Sequence, residues 1–399
     1  MDFGASMDLY YKQNRSGCPI HGARLSAGDE KLPRFGLDDK TLKQVLNDVQ
    51  THHEQLLNKT LFDYTTAHLH DAIDKAVGRP GPDDPFFETY LKLKHNVARF
   101  AAYKTAHQVN DLRQKALAQT DADKQWQVAQ AINNRYNVNW LRTEYVTSMR
   151  RSKAAKKWQQ YQQDKDLYPY LKYIPSLAAE PRNEHKKLYG IIKHVDDPFW
   201  DIWLPPSDWN CQCRVKQVRS DEGSRPVPKK IKRPPGALRV NPGKTGQIIT
   251  NNHPMIKYAG KRLAGKNAPE KRKKEMTERI ETKFRTNYRI FIQKRLSKLK
   301  NKFYKLPDGI NVIISKASID KIISNDNKYY TISNALIYHI NDILEKIKFI
   351  REEEPIGKRK INISTVRIYK YDNFMFYVWL LKGKNKYHIL HSVNIKGDK

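Results

Sequence analysis

The chain has 399 residues, 39% hydrophobic and 11% aromatic, with a mean hydropathy of −0.79 and a formal net charge of +32. Its longest apolar runs, such as Phe374–Leu381, fall far short of the roughly 20 residues needed to cross a bilayer, so no membrane association is expected. Asp2 and Asp8 stand where a secretory leader would need basic and apolar residues, and the three cysteines supply no disulfide framework, so synthesis in a reducing cytoplasm is expected.

The charge is uneven. Residues 225–399 hold 41 Lys/Arg against 14 Asp/Glu, whereas residues 1–224 hold 33 against 28. A field of this kind attracts phosphate backbones and weakens with salt. A solvated lysine-rich surface has the same composition.

In chain order, residues 1–36 read as an irregular lead-in, because Gly17, Pro19, Gly22 and Pro33 interrupt any periodicity. Helical spacing begins at Leu37, where Asp38 or Asp39 can cap a helix with Leu42, Val45 and Leu46 on one face. The pattern continues over Thr60–Val77, breaks at Gly78-Arg79-Pro80-Gly81-Pro82, and resumes over Glu88–Leu117 and Asp123–Gln163. From Tyr168 to Val218 prolines and aromatics replace the periodicity, which predicts a compact loop-and-strand segment.

Residues 219–256 have the Pro/Gly-rich composition of a basic linker. Residues 257–300 read as a basic helical connector, with an apolar stripe of Met276, Ile280, Phe284, Tyr288, Phe291 and Leu299. Residues 301–399 read as an α+β domain. It begins with a short strand at Ile310–Ser315 and helices at Lys316–Ser324 and Thr331–Ile347. A four-stranded antiparallel meander follows, with strands near 348–352, 362–371, 373–382 and 385–395 and turns at Asp372-Asn373 and Gly383-Lys384-Asn385.

Residues Asp196–Val215 read D-D-P-F-W-D-I-W-L-P-P-S-D-W-N-C-Q-C-R-V. Upstream stand Arg142-Thr143-Glu144, Trp158 and Leu171-Lys172-Tyr173, and then Arg182, His185, Leu188 and Gly190 in an R-x-x-H-x-x-L-x-G spacing. Together these resemble the phage Mu F-like minor head proteins over about residues 40–218, with one departure at Gln212, where that family commonly has arginine. The resemblance implies a mostly α-helical head-protein domain over 37–218, ending in an irregular aromatic and Pro-rich segment. It also implies a place in the virion, in the capsid interior or at the portal, with portal and capsid proteins as partners.

Within the motif, Arg182, His185, Trp200, Pro205, Pro206, Trp209, Cys211 and Cys213 are the structural candidates. The prolines stiffen the approach to the cysteines, and Trp200, Trp203 and Trp209 can bury large rigid surfaces. Trp200, Trp209 and the Cys211/Cys213 turn are expected to form one cluster, a small aromatic core held by rigid turns. The alternative is a structural zinc on His185, Cys211 and Cys213, with Cys18 or His21 as a fourth ligand, although one residue between cysteines is tighter than usual. No nucleophile or acid–base constellation is evident in residues 1–218.

The order of helices and meander in residues 301–399 resembles the phage-associated barnase–EndoU–colicin–RelE nucleases. That resemblance implies a metal-independent ribonuclease acting as an injected toxin, with an acidic immunity protein as a further partner. Such chemistry needs an acid, a base and cations around the phosphate. The catalytic candidates are His388, His391 and Ser392 on the last strand. Those for nucleic-acid binding are Lys358 and Arg359, which can also be a solvated loop, Arg367 and Tyr369 on one face of strand 362–371, and Trp379 on strand 373–382; a sheet face with arginine, tyrosine and tryptophan can stack bases and hold phosphates. His391 alternates with apolar residues and His339 lies on an apolar helix face, so core packing is an open reading for both. A structural head protein whose basic tail binds packaged DNA without cutting it fits the same composition.

Overall fold

The computed structural model describes residues 2–12, 32–81, 83–178, 181–325, 331–355, 362–371, 374–383 and 388–395. Cys18, His21, Lys358, Arg359 and the turn at Asp372-Asn373 lie outside them. The chain divides into two compact units, one of residues 1–78 and 92–284 and one of residues 79–91 and 285–399. Among the described residues no helix is long and apolar enough to cross a membrane.

The first unit is built on helices α1 (Phe3–Lys12), α2 (Asp39–Thr51), α3 (Lys59–Val77), α4 (Phe87–Asp111, from Lys92 onward), α5 (Ala122–Asn133) and α6 (Leu141–Gln163). Local chemistry sets several boundaries. The Asp38 carboxylate accepts from Thr41 N at 2.7 Å and caps α2, and Asn58 and Asp121 cap α3 and α5 in the same way. Gly78 ends α3 at φ 75°, a conformation that a side chain would disfavour. π-helical turns at Leu112–Ala116 and Asn134–Trp140 interrupt the predicted helical runs without ending them.

Helix α1 corrects the expectation of an irregular lead-in. A ten-residue helix is marginal in isolation. This one is held by packing, with Met7 and Tyr11 fully buried and the Trp140 indole donating to Asp8 at 2.8 Å. At its inner end the Tyr11 hydroxyl donates to Glu144 at 2.6 Å. Glu144 in turn pairs with Lys104 at 2.5 Å, with both side chains at 0% exposure.

The segment expected as a linker behaves differently from its composition. Its exposed stretch is confined to residues 219–233, apart from half-buried Pro228 and Ile231. Beyond it the chain lies on the helices through the short helices α9 (Pro242–Thr245), α10 (Pro254–Lys257) and α11 (Ala259–Leu263). Arg151 donates to Val240 O, Asn96 receives the N–H groups of Ile248 and Ile249, and His253 is fully buried against Tyr11. Backbone groups that a free linker would leave to water are satisfied by side chains of α4 and α6. The boundary between the units falls inside α12 (Glu270–Leu296), after Phe284. Residues 225–284, with 17 Lys/Arg and 4 Asp/Glu, therefore put about half of the basic surplus in the first unit.

The aromatic and Pro-rich segment forms a three-stranded antiparallel sheet in the order β2-β1-β3, from β1 (Tyr170–Ile174), β2 (Ile192–His194) and β3 (Arg214–Val218). Two short helices, α7 (Asn183–Lys186) and α8 (Phe199–Trp203), lie in the connections.

In the second unit the sheet has six strands, not four. The order is β4-β5-β9-β8-β7-β6, with β4 (Phe303–Lys305), β5 (Asn311–Ile313), β6 (Lys348–Glu353), β7 (Ile363–Tyr371), β8 (Phe374–Leu381) and β9 (His388–Ile395). Strands β6 to β9 pair antiparallel in sequence order, but β5 runs parallel to β9, with Val312 opposite His388. The sheet is therefore mixed. Helices α13 (Lys316–Asn325) and α14 (Thr331–Lys346) connect β5 to β6, and Ile319, Ile322, Ile340, Ile343 and Leu344 are buried. His339 is buried at a kink of α14, its ring edge-on to Phe87.

Trypsin is expected to cut first at Lys229 or Lys230, where the backbone is exposed. The two fragments should stay together in native gel filtration, because residues 236–284 are anchored on α4 and α6. Separation of the fragments without denaturant would contradict the packing described.

Candidate functional site

The loop 204–213 is clamped from two sides. Arg151 of α6, fully buried, donates to Pro206 O at 2.6 Å and to Val240 O at 2.6 Å, and its neighbour Arg150 donates to Asn210 O at 2.8 Å. From the opposite side Arg182, just before α7, donates to Trp209 O at 2.6 Å. Burial pushes the Arg151 guanidinium down to about 9, partly offset by Cys211. Hydrogen bonds to charged donors contribute about 1.5–3 kcal/mol each, so these arginines fix the loop more firmly than neutral contacts would. The Pro205–Pro206 bond within it is cis.

Asn210 occupies the left-handed region at φ 57°, which asparagine tolerates better than most residues. The chain thereby turns back, with Cys211 N donating to Asp208 O at 3.1 Å, and both cysteine sulfurs meet the imidazole of His185 on α7. The Nδ1 atom lies 3.5 Å from Cys211 Sγ and 3.4 Å from Cys213 Sγ, while Nε2 faces the Asp208 carboxylate at 4.0 Å. Asp208 in turn lies 3.9 Å from Arg182.

The electrostatics follow from burial and pairing. The hydrogen bond with Cys213, reinforced by His185, holds the Cys211 thiol well below the ordinary thiol range. The same pairing pushes Cys213 up. Burial opposes a charge on His185, but the bond and charge of Cys211 outweigh it and raise its pKa. Burial drives Asp208 up to about 6 against the pull of Arg182 and His185. Cys211, Cys213 and His185 are all buried, at 3%, 7% and 5% exposure, so the group is placed to hold an ion or to pack, not to meet a substrate.

Of the sequence candidates, Arg182, His185, Cys211 and Cys213 converge. Trp200 lies in the same apolar cluster as the cysteines, with Trp158, Leu171, Tyr173, Leu188, Trp203 and Leu204. Trp209 does not share the expected cluster with Trp200. Its ring packs on Tyr10, Tyr11 and His253, and the chain turns at Asn210 between Trp209 and the cysteines. Asp208 and Arg151 were missed, as one reads as an ordinary turn residue and the other as one of many exposed helix arginines.

In the second unit the expected face with arginine, tyrosine and tryptophan is divided. Strand residues directly opposite each other share a face. Arg367 is opposite Val378 and Tyr369 opposite Phe376, on the buried side, whereas Trp379 is opposite Val366 on the other side. Arg367 is already paired with Glu352 at 2.5 Å and with Asp308 at 3.0 Å, and the Tyr369 hydroxyl donates to Asp308 at 2.6 Å. Asp308 lies in the β4–β5 turn, Pro307-Asp308-Gly309, which the sequence reading left without a role.

On β9 a bulge opposite Tyr377/Val378 shifts the alternation, so that Leu390 and Val393 face the same way. His391 lies flat on Trp379 at 3.5 Å, its Nδ1 3.2 Å from Ser392 Oγ, and Ser392 is buried. His388 Nδ1 accepts from Leu381 N at 3.1 Å, and burial, with Arg367 nearby, lowers its pKa. Arg367, with Tyr369, Asp308 and Glu352 around it, therefore lies near His388, whereas His391 is stacked on Trp379. Lys358 and Arg359 lie outside them.

Residues 95–216 match the family described as Phage Mu protein F like protein. These residues form a Mu F-like domain. The chain is 37% identical over 78 residues to the putative capsid assembly protein F of Escherichia phage Mu, and 36% identical over 78 residues to the Mu-like prophage FluMu F protein of Haemophilus influenzae. Each alignment covers 20% of this chain and spans 18% of the relative's length. No solved structure matches the chain. The Mu F-like domain contains Lys104, Glu144, Arg151, Arg182, His185, Cys211 and Cys213, so the buried pair, the clamp and the Cys/His group all lie inside the matched stretch. The match ends at residue 216, before the basic region.

Trp200→Ala removes a fully buried side chain from the cluster that carries both cysteines. Stability in urea should fall by roughly 3–5 kcal/mol. An unchanged unfolding midpoint would show that the cluster does not hold the domain together.

Proposed function

We propose that this chain acts in the assembly of a phage head, in contact with capsid or portal proteins, and is a component of the virion. The observation that carries the reading is the Mu F-like domain at residues 95–216, together with its relatedness to a protein described as a capsid assembly protein. The site geometry agrees with a structural role, since the groups that converge in this domain are buried and clamp a loop. The test is deletion of the gene from the phage or prophage that encodes it, with mass spectrometry of purified heads. Loss of mature heads, restored by the wild-type gene, and presence of the chain in heads are expected. Full phage yield without the gene and absence from heads would defeat the proposal.

For the basic region we propose binding of nucleic acid, packaged DNA in the first place, without cleavage. The supporting observation is the surplus of 41 Lys/Arg over 14 Asp/Glu in residues 225–399. An injected ribonuclease in residues 301–399, paired with an acidic immunity protein, is the competing reading. It would need His388 or His391 as acid or base, with Arg359 and Arg367 holding the phosphate. Retention of the full chain on DNA should fall by orders of magnitude between about 50 and 200 mM salt. RNA incubated with the chain in EDTA should stay intact. Cleavage abolished by His388→Ala or His391→Ala would reinstate the ribonuclease, and salt-insensitive retention would remove the electrostatic account.

A further inference from the structure

We propose that His185, Cys211 and Cys213 are three ligands of a structural zinc ion within the Mu F-like domain. Each of the three side chains offers one ligand atom, and these atoms lie within 4.8 Å of one another. Tetrahedral zinc with Zn–N of about 2.05 Å and Zn–S of about 2.3 Å requires an N···S separation of about 3.6 Å. The observed separations of 3.5 and 3.4 Å, both measured from His185 Nδ1, match that edge. Two buried sulfurs gathered on one ring nitrogen are the arrangement that a shared cation draws together.

Three further features support a metal. The imidazole turns Nε2 toward Asp208, itself beside Arg182, which leaves Nδ1 as the atom presented to the sulfurs. A carboxylate behind the ring is the usual outer support of a metal-bound histidine. The Cys213 N–H donates to Cys211 Sγ at 3.4 Å, a contact that favours the thiolate a metal requires. The Tyr173 hydroxyl beside Cys213 and the Ser207 hydroxyl are both buried, with no hydrogen-bond partner of ordinary geometry among the described residues.

Ligand chemistry selects the metal. Two thiolates and an imidazole favour a soft or borderline ion and disfavour magnesium and calcium. Full burial also separates this group from a reactive thiol, which must meet its substrate. The site joins α7 to the end of the clamped loop, so the ion would tie these two parts of the aromatic segment together.

The experiment uses the full chain, purified reduced, and reads zinc by elemental analysis. It also reads the absorption spectrum after stripping and titration with Co2+. About one zinc per chain is expected, with sulfur-to-cobalt charge transfer and the strong visible bands of a tetrahedral site at one equivalent. Cys211→Ser, Cys213→Ser and His185→Gln should each abolish the spectrum, and Asp208→Asn should weaken affinity about 10–100-fold while keeping it. Should the ligand variants fail to fold, the wild-type Co2+ spectrum and a zinc-dependent rise in its melting temperature decide the matter. A wild-type chain without stoichiometric zinc and without the sulfur-to-cobalt band overturns the proposal. So does an unchanged spectrum in a folded Cys211→Ser/Cys213→Ser variant.

Discussion

The Mu F-like domain depends on one buried ion pair, Lys104 with Glu144. Neither side chain reaches water, and desolvation lowers the Lys104 pKa, so the pair persists only because other groups complete its hydrogen bonds. Tyr11 supplies one from α1, and its hydroxyl lies 3.1 Å from His253 of the segment before α10. A second polar set adjoins it. Arg262 of α11 pairs with Asp111, which also accepts from Tyr136, while His107 bonds to Met255 O. Removing one partner of a buried pair costs about 3–5 kcal/mol, because the other charge is left stranded. Four parts of the chain far apart in sequence are therefore committed to one arrangement, which apolar packing alone would specify less sharply.

The loop that carries the cysteines inherits this rigidity. Arg151 stands on the same helix as Glu144 and ties Pro206 to Val240, so the segment that closes over the helices also fixes the loop. His185 and the cysteines meet because Arg182 and the turn at Asn210 bring α7 and the loop end together. The segment with three short strands has a small core in which Leu171, Leu188, Ile191, Val195 and Leu204 pack with the tryptophans. Its tryptophans and its buried polar clamp add to that core.

The second unit follows a different logic. Its helices cover one side of a mixed sheet, and Phe376, Val378, Leu390 and Val393 face that core. Edge strand β6 is exposed throughout, and its charged residues discourage pairing with other chains. Positive charge is distributed across both units, since residues 225–284 belong to the first. Electrostatic attraction to a polyanion requires only that distribution.

Helix positions, the cap at Asp38, the break after Val77 and the strands β6 to β9 were legible in the sequence, because each depends on neighbours a few residues away. So was the motif around His185, Cys211 and Cys213, whose spacing is local. The sequence could not reveal that α1 is a helix, since ten residues fold only against Trp140 and Glu144. Nor could it reveal that residues 236–256 pack as part of a domain, because proline and glycine mark turns equally well in a linker and in a packed segment. Strand β4 and the bulge in β9 escaped for a related reason: three residues carry no period, and one extra residue reverses every later side chain. The partners of Lys104, Arg151 and Arg367 were likewise decided by tertiary structure alone. Charge on a residue is visible in sequence, but whether it is solvated, buried or neutralised depends on which distant carboxylate or carbonyl the fold brings within about 3 Å.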